Sequence, residues 1–194
     1  MEGIDCATPL SARTAGALAD AGVEFVCRYL VPARYAWKRL TGDEAEYITG
    51  AGMQIGSVFE TTASRAAAGA AAGRADGVAA YKEAQLICQP KDTAIYFAVD
   101  YDAQPADYDA IEAYLRAAEE QIPGYRVGVY GSYTVVEEMA HRGAAWHFWQ
   151  TYAWSGGKKS KAANIYQHKN DVSMAGIGVD LNKSFGNEGF WYIK

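Results

Sequence analysis

The sequence predicts an α/β protein: a modified TIM-type (β/α) barrel of eight parallel-type strands and five helices, with its last helices missing. Three observations predict it. The first 143 residues alternate five times between a strand-like run and a helix-like run, which implies a parallel sheet. Three further strand-like runs then follow with irregular connections and no helical period. Several strands also end in a polar side chain of one parity, as expected where parallel strands open their C-terminal ends onto a site. A doubly wound open sheet is the alternative. It would keep its later helices, and no glycine-rich phosphate turn follows the first strand.

Gly3-Ile4-Asp5 reads as the first strand. Pro9 and Ser11 open a helix over about 11–21, which Gly22 stops. The second strand, 24–30, has two faces, Phe25/Cys27/Tyr29 and Val26/Arg28/Leu30. A loop with Tyr35 and Trp37 leads to a helix beginning at Asp43-Glu44 and ending near 50–52. The third strand is 53–60. Ala- and Gly-rich residues 61–77 read as a long loop running into a helix that ends near Cys88, since Gly69, Gly73 and Gly77 weaken a continuous helix.

Residues 94–100 form the fourth strand, and its end dominates the sequence. Tyr96-Phe97-Ala98-Val99-Asp100-Tyr101-Asp102 is an apolar run closed by two carboxylates. Ile95, Phe97 and Val99 would pack under helices, and Tyr96, Ala98 and Asp100 would face the interior. Pro105 suits a helix start, and Pro123-Gly124 stops that helix near 121. The fifth strand is 126–131 and the fifth helix 133–142. Residues 146–150, 164–168 and 178–181 supply the last three strands.

The 194 residues suit one domain, 1–194, and half are hydrophobic, enough for a sizeable core. Net charge is −5, and the basic residues cluster only at Lys158-Lys159-Ser160-Lys161, which argues against a nucleic-acid partner. Cys6, Cys27 and Cys88 fit no zinc or redox spacing and are expected as buried free thiols. None of His141, His147 and His168 makes a ligand motif with another, so neither a metal nor a cofactor is expected; a hydrolase using a metal on Asp100 and Asp102 stays a minor alternative. No signal peptide precedes the first strand and no apolar run could span a membrane. The expectation is synthesis in the cytoplasm as a monomer; an extracellular target would need another device to deliver the protein.

Asp5, Glu60, Asp100, Tyr130, Gln150, Gln167 and Asp180 sit at or near strand ends. Ile4, Phe59, Val99, Val129, Trp149 and Val179 hold the opposite, outward parity. Four carboxylates at one mouth would raise the pKa of at least one. That gives a protonated acid beside an ionised carboxylate, the pair that glycoside hydrolysis uses. Asp102 could equally cap the following helix, and Glu60 could pair with Arg28. An inward Arg28 would need Asp5 or Glu60 as its counter-ion.

Gly3-Ile4-Asp5, residues 25–30, residues 96–102, Gly128-Val129-Tyr130-Gly131, residues 149–155 and Val179-Asp180-Leu181-Asn182 together resemble the bacterial and phage glycoside-hydrolase-like domain family, related to the family 25 lysozymes. The resemblance runs through nearly the whole chain in order. It implies a barrel lacking its last helices, a cell-wall polysaccharide, peptidoglycan, as partner, and action at the bacterial wall after phage-type release or a non-classical export route. It matches Asp5 and Asp180 to the first- and last-strand acids of the lysozymes. Their strand-four Asp-x-Glu is replaced here: either Asp100 stands for the Glu and Ala98 for the Asp, or Asp100 and Asp102 stand for the pair. Glu60 is the candidate for a missing carboxylate. Tyr130, Gln150, Gln167 and Arg28 are candidate substrate contacts, and Trp37 and Trp154 candidate sugar-stacking rings. Trp146 and Trp149 are expected in the core, and His168 outward. A non-catalytic glycan-binding barrel is the alternative function.

Overall fold

The structure, a computed structural model, describes residues 1–193. Eight strands close into a barrel in sequence order. The strands β1 (Glu2–Asp5), β2 (Phe25–Tyr29), β3 (Gln54–Phe59), β4 (Ala94–Ala98), β5 (Arg126–Gly131), β6 (His147–Thr151) and β7 (Ile165–Met174) pair in parallel, each with the next. The last, β8 (Ile177–Ser184), runs antiparallel to both β7 and β1 and shuts the ring, with Asp5 opposite Asp180. Five helices follow the first five strands: α1 (Ala12–Asp20), α2 (Gly42–Gly50), α3 (Gly69–Leu86), α4 (Tyr108–Glu119) and α5 (Tyr133–His141). Strand count, closure and helix count match the sequence reading; the direction of β8 departs from it.

Local chemistry sets the helix starts. Side chains of Ser11, Thr41 and Ser132 accept from the backbone N–H of Thr14, Glu44 and Val135, satisfying donors that a helix start leaves free. Where a loop with a doubtful helix was expected, α3 is continuous over eighteen residues. Its glycines are there for contact with α4. A Cβ on Gly73 would sit 2.1 Å from the Tyr114 carbonyl oxygen, and one on Gly77 2.7 Å from that of Ala118. Beside this contact the buried Asp76 accepts from Arg65 and from the Tyr114 hydroxyl.

Two apolar layers result. Ile4, Val26, Ile55, Phe97 and Val127 lie between the strands and the helices. Phe25, Val58, Tyr96, Tyr130, Trp149 and Ile165 fill the barrel. At the strand N-terminal end Phe190 stacks on Phe25, with ring centres 4.5 Å apart, and the Glu188 carbonyl accepts from the Tyr96 hydroxyl. The interior therefore opens at the other end.

The last two strands are longer than expected. Ala175 and Gly176, both at positive φ, turn β7 directly into β8. Val172, Met174, Ile177 and Leu181 of this hairpin pack against the outer apolar layer. The hairpin covers the part of the barrel wall that has no helix.

Cys6 and Cys27 are buried and free as expected, whereas Cys88 is exposed just past α3. Trp146 is also a correction. It is 56% exposed, with its indole N–H on Glu119 and the Arg126 guanidinium over its ring, and so lies outside the core. No helix is long and apolar enough to cross a membrane among the described residues.

Candidate active site

A cleft of about 130 Å³ lies at the C-terminal ends of the strands. Pockets that enclose a whole drug-sized ligand measure roughly 300–1,000 Å³, so this one is too small to enclose such a ligand. Asp5, Glu60, Asp100, Tyr130, Gln167 and Asp180 all line it.

Asp5 is the deepest carboxylate, 6% exposed. Its Oδ2 accepts from Gln167 Nε2 at 2.8 Å and Asn182 Nδ2 at 2.7 Å. Both amides are oriented from behind. The Tyr130 hydroxyl donates to Gln167 Oε1 at 2.9 Å, and the Trp149 indole N–H donates to Asn182 Oδ1 at 2.8 Å. Each amide must then turn its NH₂ toward the acid. Even so, burial, with the charge of Asp180 adding to it, raises the Asp5 carboxyl to about 7.

Asp180 receives the Asp171 backbone N–H on Oδ1 and Gln167 Nε2 on Oδ2. Asp100 stands two residues beyond β4, where its backbone N–H bonds the Ala63 carbonyl. Glu60 follows β3, and Lys38 lies 3.4 Å from its Oε1. Burial raises the pKa of each of these three acids from its ordinary value. Lys38 opposes the rise at Glu60 and Asp100, and the Asp171 N–H opposes it at Asp180. The cleft therefore holds several carboxyl groups that take up protons more readily than exposed ones. Asp5, raised to about 7, can hold or give up a proton near neutral pH.

The remaining expected contacts are elsewhere. Arg28 is fully buried on the outward face of β2, level with Val26 and Leu30, where α2 brings Glu44 to it at 2.6 Å. It also donates to the carbonyls of Cys6 and Lys38. It pairs with neither Asp5 nor Glu60 and does not line the cleft. Gln150 is buried and faces outward, where it accepts from the Ser160 N–H and donates to the Lys158 carbonyl. Trp149 takes the inward place, its ring 4.7 Å from that of Tyr130. The expected parity of β6 is thus reversed. Asp102 is exposed beyond the strand end and away from the cleft lining. Trp37 is 63% and Trp154 46% exposed, and neither lines the cleft. His168 is exposed, as expected.

The sequence reading missed Tyr29, Lys38, Asn170 and Asn182. Tyr29 and Asn170 line the cleft, and Asn182 and Lys38 hold its acids. Tyr29 shares the parity of Phe25 and Cys27, and Asn182 that of Asp180, so alternation alone would have found these two. Lys38 carried no local signal, because its loop has no period.

Residues 16–184 match the family described as the Rv2525c-like, glycoside hydrolase-like domain. Rv2525c of Mycobacterium tuberculosis, named as a candidate peptidoglycan hydrolase, is 28% identical over 202 residues, 91% of this chain and 84% of that protein. The crystal structure of that Tat-secreted protein with L-tartrate superposes with a TM-score of 0.88 at 25% identity, covering 98% of both chains. FadG of Bacillus subtilis is 30% identical over 156 residues, 73% of this chain; the match spans only 26% of FadG. In fold, the chain is also similar to the Streptococcus pneumoniae virulence factor GHIP, a glycosyl hydrolase 25. There the TM-score is 0.64 at 14% identity, over 95% of this chain and 86% of that one.

Proposed function

Because the chain belongs to the Rv2525c-like glycoside hydrolase-like domain family, we propose that it hydrolyses the glycan of bacterial peptidoglycan at the mouth of this barrel. The observation that carries this reading is the unequal surrounding of two cleft carboxyls. Glu60 has an ammonium 3.4 Å away, while Asp100 makes no ion pair among the described residues. In this reading Asp100 protonates the leaving glycosidic oxygen and Glu60 is its ionised partner. Asp5 and Asp180 position water or a substrate group, or answer the charge that develops on the sugar. The Tyr130 hydroxyl bonds the substrate. The name of the mycobacterial relative supports peptidoglycan as the substrate. The barrel acts as one domain, at the bacterial wall.

The test is release of new reducing ends from purified peptidoglycan. Wild type releases them; Asp100→Asn and Glu60→Gln do not, yet both still fold and are still pulled down by the walls. One observation favours a second reading, a glycan-binding barrel without turnover. Ala98 lines the cleft, and in one of the two ways of matching strand four to the lysozyme Asp-x-Glu it takes the place of the Asp. That reading predicts pull-down with no release by wild type on any wall.

A further inference from the structure

Lys38 lies in the turn after the short 3₁₀ segment Ala33–Tyr35, and only 4% of it is exposed. Its ammonium contacts Glu60 at 3.4 Å and lies 4.3 Å from the Tyr29 ring centre and 5.3 Å from that of Trp37. A buried ammonium is costly unless its charge is met, and one carboxylate with two ring faces meets it here. Its backbone is held as firmly as its head. The Lys38 N–H donates to the Tyr35 carbonyl, and its own carbonyl accepts from Arg28 at 3.2 Å. The same guanidinium is clamped by Glu44 and holds the carbonyl of Cys6, the residue after Asp5. One outward-facing arginine thus fixes the backbone at two sides of the cleft.

We propose that Lys38 is a positioning residue, whose ammonium aims Glu60 into the cleft and makes it the anionic member of the Glu60–Asp100 pair. The proposal rests on reading those two carboxyls as the working pair. Burial disfavours the charge of Glu60, and Asp100 beyond β4 adds to this; Tyr29 from β2, Asp5 and Asp180 line the same cleft. Lys38 opposes burial and Asp100 through direct contact. Asp100 feels the same cation only at longer range. Two similar carboxyls in one cleft divide into acid and base only if their surroundings differ, and Lys38 supplies that difference.

Carboxyl-carbon NMR titration of Glu60 in the full chain tests this. In Lys38→Met the Glu60 midpoint rises by about one pH unit or more, and Lys38→Arg brings it back. The acidic limb of the pH profile for reducing-end release moves up by the same interval. Lys38→Gln, which keeps a polar head without the charge, is the second variant and raises the Glu60 midpoint in the same direction. A folded Lys38→Met with an unmoved Glu60 midpoint overturns the proposal. If that variant does not fold, an unmoved Glu60 midpoint in Lys38→Gln overturns it equally. Should wild type release no reducing ends, the glycosidase reading fails, and the two titrations still decide the role of Lys38.

Discussion

Asp5 and Asp180 face each other across the seam where the first strand meets the last, and they share one donor. Gln167 Nε2 lies 2.8 Å from Oδ2 of Asp5 and 3.3 Å from Oδ2 of Asp180. The charge of Asp180 adds to the cost of ionising the buried Asp5, and this sets how the protein responds to pH. Asp5 is raised from 3.8 to about 7 by burial and by Asp180. Between those values the folded state binds more protons than the unfolded state, so stability falls as pH rises through the interval. Asp5→Asn removes that penalty while keeping an oxygen for Asn182 and Gln167. Its melting temperature is expected to exceed that of wild type at pH 8, by an amount corresponding to a few kcal/mol, and to match it near pH 4. Equal shifts at both pH values would refute the assignment.

Arg28 and Glu44 form a buried pair, with side chains 0% and 3% exposed. Arg28→Met leaves a carboxylate and two carbonyls without their donor. We expect a loss of about 3–5 kcal/mol in urea denaturation. Arg28→Lys recovers little of it, since an ammonium cannot reproduce the fork.

The α3–α4 contact gives a paired test of glycine. Gly73→Ala adds a methyl where only 2.1 Å is free, and overpacking of this kind costs about 1–3 kcal/mol or more. Gly16→Ala, in α1 with nothing within 4 Å of the new methyl, gains roughly 0.5–1 kcal/mol from helix propensity alone. Thermal unfolding of the two variants should move in opposite directions.

Gln150 clamps residues 158–160 from outside the barrel. Gln150→Ala should therefore cost on the order of 1–3 kcal/mol of stability and, on the proposed function, leave wall binding unchanged. Weakened pull-down by a fully folded variant would return Gln150 to the ligand site.

Alternation made much of this structure legible, and its failures have one cause. For β1 to β5 the outside of the barrel is covered by helices, so bulky apolar side chains point outward and the opposite parity marks the interior. Asp5, Glu60, Asp100 and Tyr130 were placed in the cleft on that basis. No helix follows β6; its outside meets a polar loop. There Gln150 is the residue that suits the outside, and Trp149 finds apolar company within. Arg28 was misread by disregarding its own parity: it alternates with Val26 and Leu30, and its counter-ion comes from α2, sixteen residues on. Lys38 was invisible because a loop has no period and its carboxylate partner follows a different strand. The antiparallel course of β8 could not be read either, since a four-residue alternating run looks the same in both directions.

That last strand has a consequence for the order of folding. The two amides on Asp5 come from 162 and 177 residues further along the chain. Five consecutive strand–helix units can condense from near neighbours, but the seam between β1 and β8 must wait for the largest loop in the molecule to close. The acidic cleft straddles that seam. An incompletely closed chain can therefore be nearly all native in its secondary structure and still hold no complete cleft, so the closed acidic cleft should be the last feature to appear during refolding.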